Sequence, residues 1–136
     1  MRADYTKDDA QKLDAVIITH GRITLEAINA KTALAEQGKH VGILLLEQIK
    51  PYEKIAAHVA ELLPANSCHV LFLEEEARAG GMGMMLSAAL ASHTVMENKR
   101  ITVRALGEHF AIQTENEPIW KSFLLDSATI VADILH

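Results

Sequence analysis

Much of the chemistry that would mark a function early is missing from this chain. One cysteine, Cys68, stands among 136 residues, which excludes an internal disulfide framework and gives no support to a cysteine-based zinc site. No run of lysines or arginines occurs, and the formal net charge is −5, so neither nucleic acid nor an anionic membrane is an expected partner. No apolar stretch approaches the length needed to span a bilayer. The polar, mixed-charge start (residues 1–12) lacks an apolar segment of signal-peptide length, so the cytoplasm is the expected location. Internal repeats, linkers and low-complexity segments are absent too, which leaves one domain.

What is present is a sequence 49% apolar and 23% charged, the balance of a globular domain with a substantial core. Residues 1–13 read as a flexible N-terminal arm, and residues 14–136 as the domain. The β-branched run Ala15-Val16-Ile17-Ile18-Thr19 predicts a buried parallel strand. His20-Gly21-Arg22 then turns the chain into a helix with Thr24 as cap, Leu25, Ile28, Ala33 and Leu34 at helical spacing, and Gly38 as its stop. Val41-Gly42-Ile43-Leu44-Leu45-Leu46 predicts a second strand. Pro51 suits the first position of a helix carrying Ile55, Val59, Leu62 and Leu63. A third strand is predicted over 68–73, a helix over 84–93, a fourth strand over 101–106, and helices over 117–123 and from Ser127 with Asp126 as cap. Strand alternating with helix implies a three-layer α/β/α domain with a mostly parallel sheet of four to five strands.

The third strand ends abruptly in Glu74-Glu75-Glu76, and Arg78-Ala79-Gly80-Gly81-Met82-Gly83 opens the next helix. Ligands of α/β proteins gather outside the carboxyl ends of the strands, so function is sought here. The glycines have two possible jobs: to bring backbone amides to a phosphate, or to let the helix start pack closely on a strand or a neighbouring chain. Their spacing matches neither the dinucleotide nor the P-loop fingerprint, and three carboxylates just upstream oppose a phosphate. Glu74 to Glu76 read either as a solvated strand end with one carboxylate capping the next turn, or as acid/base groups. His20, Arg22 and Arg78 all lie at strand ends. They would form a small anion site if the first and third strands are neighbours, and are otherwise solvated loop residues.

Other polar residues carry less. His40, His58, His69 and His93 lack ligand spacing, so no metal site is expected. Cys68 reads as a small buried hydrophobe. Met82, Met84 and Met85 suit irregular gaps at an interface, and Trp120 near Pro118 suits a helix anchor. No catalytic residue is assigned.

Several of these segments, in order, resemble the C-terminal domain of the transketolase family, most closely that of the 1-deoxy-D-xylulose-5-phosphate synthases. The similarity runs over residues 14–135. It rests on Gly21, Glu26 and Ala27 after the first strand, Gly38, Lys50-Pro51, and Leu125-Asp126-Ser127-Ala128-Thr129-Ile130 at the close. Its strongest segment is Glu74-Glu75 with Arg78-Ala79-Gly80-Gly81-Met82-Gly83. Glu76 stands where the family often has glycine, and Met82 where it often has phenylalanine. The His-Gly pair that follows a phenylalanine in the synthases is replaced after Phe110 by Gln113-Thr114, with His109 out of register, so its role is not carried over.

The resemblance implies a thiamine-diphosphate-dependent ketol transferase, in the synthase case serving isoprenoid precursor biosynthesis. It also implies that thiamine diphosphate and Mg are held by two other domains at a dimer interface, and that this chain alone binds neither and is inactive. The implied partners are those cofactor-binding domains or subunit, in a homo-oligomer. Glu74, Glu75 and Arg78 would form a charged edge facing a neighbouring domain, with Gly80, Gly81 and Gly83 allowing close packing. Two alternatives remain: the partner-docking domain of a 2-oxo-acid dehydrogenase decarboxylating subunit, and a free-standing small-molecule-binding regulatory module using the strand-end crevice.

Overall fold

A computed structural model describes residues 1–77, 80–106 and 126–136. Five strands form one sheet: β1 (Arg2–Ala3), β2 (Ala15–Thr19), β3 (Val41–Leu45), β4 (His69–Ala77) and β5 (Arg100–Leu106), in the order β1-β3-β2-β4-β5. β2 to β5 are parallel, with Ala15 opposite both Val41 and His69, and β1 runs antiparallel along β3. The helices are α1 (Lys7–Ala10), α2 (Thr24–Ala35), α3 (Tyr52–Leu62), α4 (Met82–Leu90) and α5 (Ser127–Leu135), with a 3-10 turn at Thr94–Met96. The expected three-layer α/β architecture with a mostly parallel sheet is what forms. The helix expected over 117–123 lies outside the described residues.

The two faces are filled by alternate residues of the same strands, as the period-two geometry of a strand requires. Val16, Ile18, Leu44, Val70 and Phe72 pack under α3 and α4, whereas Ala15, Ile17, Ile43, Leu71 and Leu73 pack under α2 and α5. Strands covered on both faces read as continuous apolar runs, which is why β2 and β4 stood out in the sequence. Fully burying a side chain such as Phe72 or Ile17 contributes about 1.5–3 kcal/mol each.

Gly38 stops α2 as expected: it takes a φ of +78°, and Lys39 N–H closes back onto the Leu34 carbonyl at 3.0 Å. Asp126 caps α5, accepting from Thr129 N–H at 3.1 Å. Pro51 sits one residue earlier than expected, at the N-cap of α3 in extended conformation. Thr24 is the first helical residue of α2, and its hydroxyl donates to the Gly21 carbonyl at 2.6 Å.

The first thirteen residues correct the expectation of a free arm. β1 pairs with β3, Asp4 Oδ1 accepts from Ile43 N–H at 2.7 Å, and Tyr5 Oη donates to the Leu62 carbonyl at 2.8 Å. Ala10 and Leu13 are buried. Gly42 makes room for this: a Cβ there would lie 2.5 Å from the Tyr5 ring. The anchors are long-range and single, so a polar stretch without periodicity hid them.

α2 holds a second correction. Its buried face is Ile23, Ala27, Ala30 and Leu34, while Leu25 and Ile28, expected inside, are 57% and 49% exposed. The alanines let the helix lie close on the sheet, and the larger residues point away from it.

Candidate functional site

β2 leads to β3 on one side and β4 lies on its other side, so the strand order reverses between β2 and β4. This is the switch point, where the loops after the two strands diverge to opposite faces and leave a crevice. Thr19 at the end of β2 donates through Oγ1 to the Leu73 carbonyl of β4 at 2.9 Å, tying the two strands where the crevice opens. His20, Arg22, Glu74, Glu75 and Glu76 collect there. Arg78 lies outside the described residues.

The three glutamates, alike in sequence, have three different environments. Glu74 is fully buried, and its carboxylate accepts from Met82 N–H at 2.9 Å and from Gly83 N–H. These are first-turn amides of α4, which lack intrahelical partners and carry the positive end of the helix dipole. Glu75 is half-buried and takes Arg22 Nε on both oxygens, at 3.1 and 2.9 Å. Glu76 is 58% exposed, and among the described residues the cation-forming group facing it is His20 Nε2, at 3.9 Å. A solvated strand end therefore describes Glu76, whereas Glu74 is the capping carboxylate, reaching the helix from inside the core. The strand also runs on to Ala77, with a register irregularity against β5 between Leu73 and Ala77.

The glycines divide similarly. Gly80 has a φ of +73°, a left-handed conformation that favours glycine in the turn before α4. Gly81 is the extended N-cap residue. Gly83 packs into the sheet: a Cβ would meet Val103 Cγ1 at 2.8 Å, Glu74 Oε2 at 2.9 Å and Phe72 Cβ at 3.1 Å. Close packing is thus its role, and the strand it packs on belongs to its own domain. A phosphate cradle is not available at α4, because a carboxylate of the chain already holds the Met82 and Gly83 amides.

The anion site meets a similar obstacle. β2 and β4 are neighbours, so His20 and Arg22 do come to one edge, but Arg22 is engaged by Glu75 and His20 faces Glu76. His20 Nε2 is shielded from solvent and has no hydrogen-bond partner among the described residues. At 3.9 Å from Glu76 it is outside the reach of proton transfer. Among the described residues no group of three or more His, Cys, Asp or Glu side chains is placed to hold a metal ion, and no helix is long and apolar enough to cross a membrane.

Of the three methionines expected at an interface, Met82 is buried in the core and only Met84 and Met85 are exposed. Among the described residues the exposed large apolar side chains are Leu25, Ile28, Met84, Met85 and Ile101. Leu25 and Ile28 lie in the first turns of α2, which follows β2, and Met84 and Met85 in the first turn of α4, which follows β4. The two helices cover opposite faces, so Leu25 on one side and Met84 and Met85 on the other lie at the helix starts that follow β2 and β4, whereas Ile28 lines a groove with Asp4, Lys31 and Ile43 beside β1 and β3.

The family pattern described as Transketolase, C-terminal domain, matches residues 4–130. The chain belongs to this family. Its matched span begins just after β1 and includes Asp4, Tyr5 and α1, the N-terminal residues that anchor the chain beside β3 and α3. Among solved structures, a split-gene transketolase in the form of an inactive beta4 tetramer superposes with a TM-score of 0.69 at 20% identity, over 93% of this chain and 38% of that one. The transketolase of Campylobacter jejuni subsp. jejuni NCTC 11168 superposes with a TM-score of 0.54 at 16% identity, over 92% of this chain and 17% of that one. At such identities the likeness is one of fold, and the chain spans well under half of either protein. Comparison with the curated proteins yields no match.

Proposed function

We propose that this chain is the C-terminal, non-cofactor-binding domain or separate subunit of a thiamine-diphosphate-dependent ketol transferase, resembling transketolase or 1-deoxy-D-xylulose-5-phosphate synthase, and that its work is architectural. The observation that carries this reading is the strand-end edge. Glu74, Glu75 and Arg22 are engaged within the chain, while Leu25, Met84 and Met85 stand exposed at the helix starts beside it. Such a surface offers burial to a neighbouring polypeptide and little to a reacting substrate.

The residues here do not fit the cofactor's diphosphate. The α4 amides are occupied, and three carboxylates crowd the strand ends. On this reading thiamine diphosphate and Mg belong to the partner domains, and no chemical step is routed through this chain. A dimer-interface role, a cytoplasmic location and, for a synthase, a place in isoprenoid precursor biosynthesis go with the reading. The split-gene transketolase supports a separately encoded subunit, since it is a transketolase divided between genes and inactive as a beta4 tetramer.

The test is purification of the chain from its native source, with a thiamine diphosphate and ketol-transfer assay on the material that accompanies it. A stable complex that binds the cofactor and loses activity when this chain is removed is the expected result. A chain that runs without a cofactor-binding partner, and whose melting temperature rises with a small metabolite, would overturn the reading in favour of a regulatory module.

A further inference from the structure

We infer that the chain carries a small-molecule site at the β1–β3 edge of the sheet, between α1 and α2, and that it takes an apolar α-amino acid in its zwitterionic form. The site lies away from the β2 and β4 strand ends, so it stands or falls separately from the architectural reading.

Two cavities adjoin at this edge, of about 650 Å³ and about 230 Å³, and Asp4, Lys31 and Ala35 line both. The larger one is apolar. Ile28, Thr32 and Ala35 form one stripe of α2, at spacings of four and three residues, beside Ile43 of β3. The smaller one is polar, with Asp9, Lys39 and His40 around Val41. An apolar compartment joined to a few convergent polar groups is the usual make-up of a small-molecule site.

The backbone of β3 adds a donor and an acceptor. β1 pairs only with Leu44 and Leu45, and its ladder ends where Asp4 N–H reaches the Ile43 carbonyl at 3.1 Å. Tyr5 then turns away to the Leu62 carbonyl, and Thr6 caps α1. Alternation along a strand points the N–H and C=O of Val41 to the same side as those of Ile43. They are thus left without a backbone partner among the described residues. A free amino acid laid along this edge can use both, its carboxylate accepting from Val41 N–H and its ammonium donating to the Val41 carbonyl, as an opposed residue of an antiparallel ladder would.

The charges of the lining suit both ends of such a ligand. Lys39 has no carboxylate partner among the described residues and stands beside Val41, where it can take the ligand's carboxylate. Asp9 spends Oδ2 on the Thr6 hydroxyl and can receive the ammonium. Asp4 is engaged by Ile43 N–H and by Lys31, so that pair fixes the wall between the cavities. Glu36 rims the apolar cavity and opposes a ligand of net negative charge. A zwitterion satisfies both signs, and its apolar side chain covers Ile28, which is 49% exposed in the empty chain.

Titration of the isotope-labelled 136-residue chain with L-leucine, L-isoleucine and L-phenylalanine, followed by amide chemical shifts, is the experiment. At least one is expected to saturate with a dissociation constant on the order of 1 mM or tighter, shifting the amides of Ala35, Val41 and Ile43. Analogues with the same side chain that lack the ammonium or the carboxylate should bind about tenfold or more weakly. Lys39→Met should weaken the amino acid to a similar degree, and Ile28→Asp should abolish saturation by placing a charge in the apolar cavity. Circular dichroism melts establish that each variant is folded. The absence of saturation with all three amino acids overturns the inference, as do shifts centred away from Val41 or analogues that bind as tightly as the amino acid. Folded variants with unchanged affinity overturn it as well. None of these outcomes bears on the thiamine-diphosphate complex, whose recovery from the native source tests the architectural reading alone.

Discussion

Glu74 and Gly83 are bound to one another twice over. The Gly83 amide donates to Glu74 Oε2, and the same oxygen lies 2.9 Å from the point where a side chain at 83 would begin. The buried carboxylate and the missing side chain are parts of one joint, which fastens the start of α4 to β4 and lets the helix lie against Phe72 and Val103.

Removing the carboxylate should loosen that joint. Glu74→Ala leaves the Met82 amide and the Gly83 amide unsatisfied in a buried setting and is expected to cost about 1–3 kcal/mol. Glu74→Gln keeps the shape and one oxygen, so it should cost less. Urea unfolding of the two variants beside wild type gives the comparison. Equal stability of all three would show that the cap contributes nothing.

Gly83→Ala attacks the other half. Its Cβ must displace Val103, Glu74 and Phe72 at 2.8, 2.9 and 3.1 Å, and overpacking of this kind costs about 1–3 kcal/mol. Gly80→Ala meets no atom within 4 Å and bears only the left-handed backbone cost of about 1–2 kcal/mol. Thermal melts should therefore show both destabilised, with the clash visible at 83 alone as a shifted Val103 methyl resonance.

Deletion of residues 1–13 distinguishes an arm from a built-in segment. The deletion strips β1 from β3, removes Leu13 from the core and takes away the Tyr5 bond to Leu62. A large loss of stability or failure to fold is expected. Tyr5→Phe, losing only the hydroxyl, should cost about 1 kcal/mol. A truncated chain as stable as the full one would restore the arm.

His69 supplies a pH dependence. Burial holds its imidazole below the ordinary value of 6.5, with Arg100 adding to the effect and Asp133 opposing it. Its ring Nε2 lies 2.7 Å from Thr102 Oγ1, and Nδ1 is buried without a hydrogen-bond partner among the described residues. Because the unfolded chain binds this proton more readily than the native one, stability is complete above pH 6.5 and falls on acidification. The loss continues down to the native titration point, by at most about 1.4 kcal/mol per pH unit. Unfolding free energies of wild type and His69→Gln between pH 8 and pH 5 should diverge in slope below 6.5. Parallel curves would remove His69 as the cause.

The local signals in this chain determined its elements, because each rests on neighbours in sequence. The β-branched run of β2 implied a strand buried on both faces, Gly38 and Asp126 marked helix ends through their own backbone and side-chain geometry, and strand alternating with helix gave the layered α/β fold. Tertiary structure decided what depends on distant partners. Three consecutive glutamates are indistinguishable as letters. Their separation into a core cap, an Arg22 partner and an exposed carboxylate facing His20 came from α4 and the β2 loop folding back beside β4. The anchoring of residues 1–13 depended on Leu62 and Ile43, far along the chain. The outward turn of Leu25 and Ile28 followed from the sheet accepting the alanine face of α2, a choice between two plausible faces that helical spacing leaves open. Periodicity reports which residues share a face; only packing decides which face is buried.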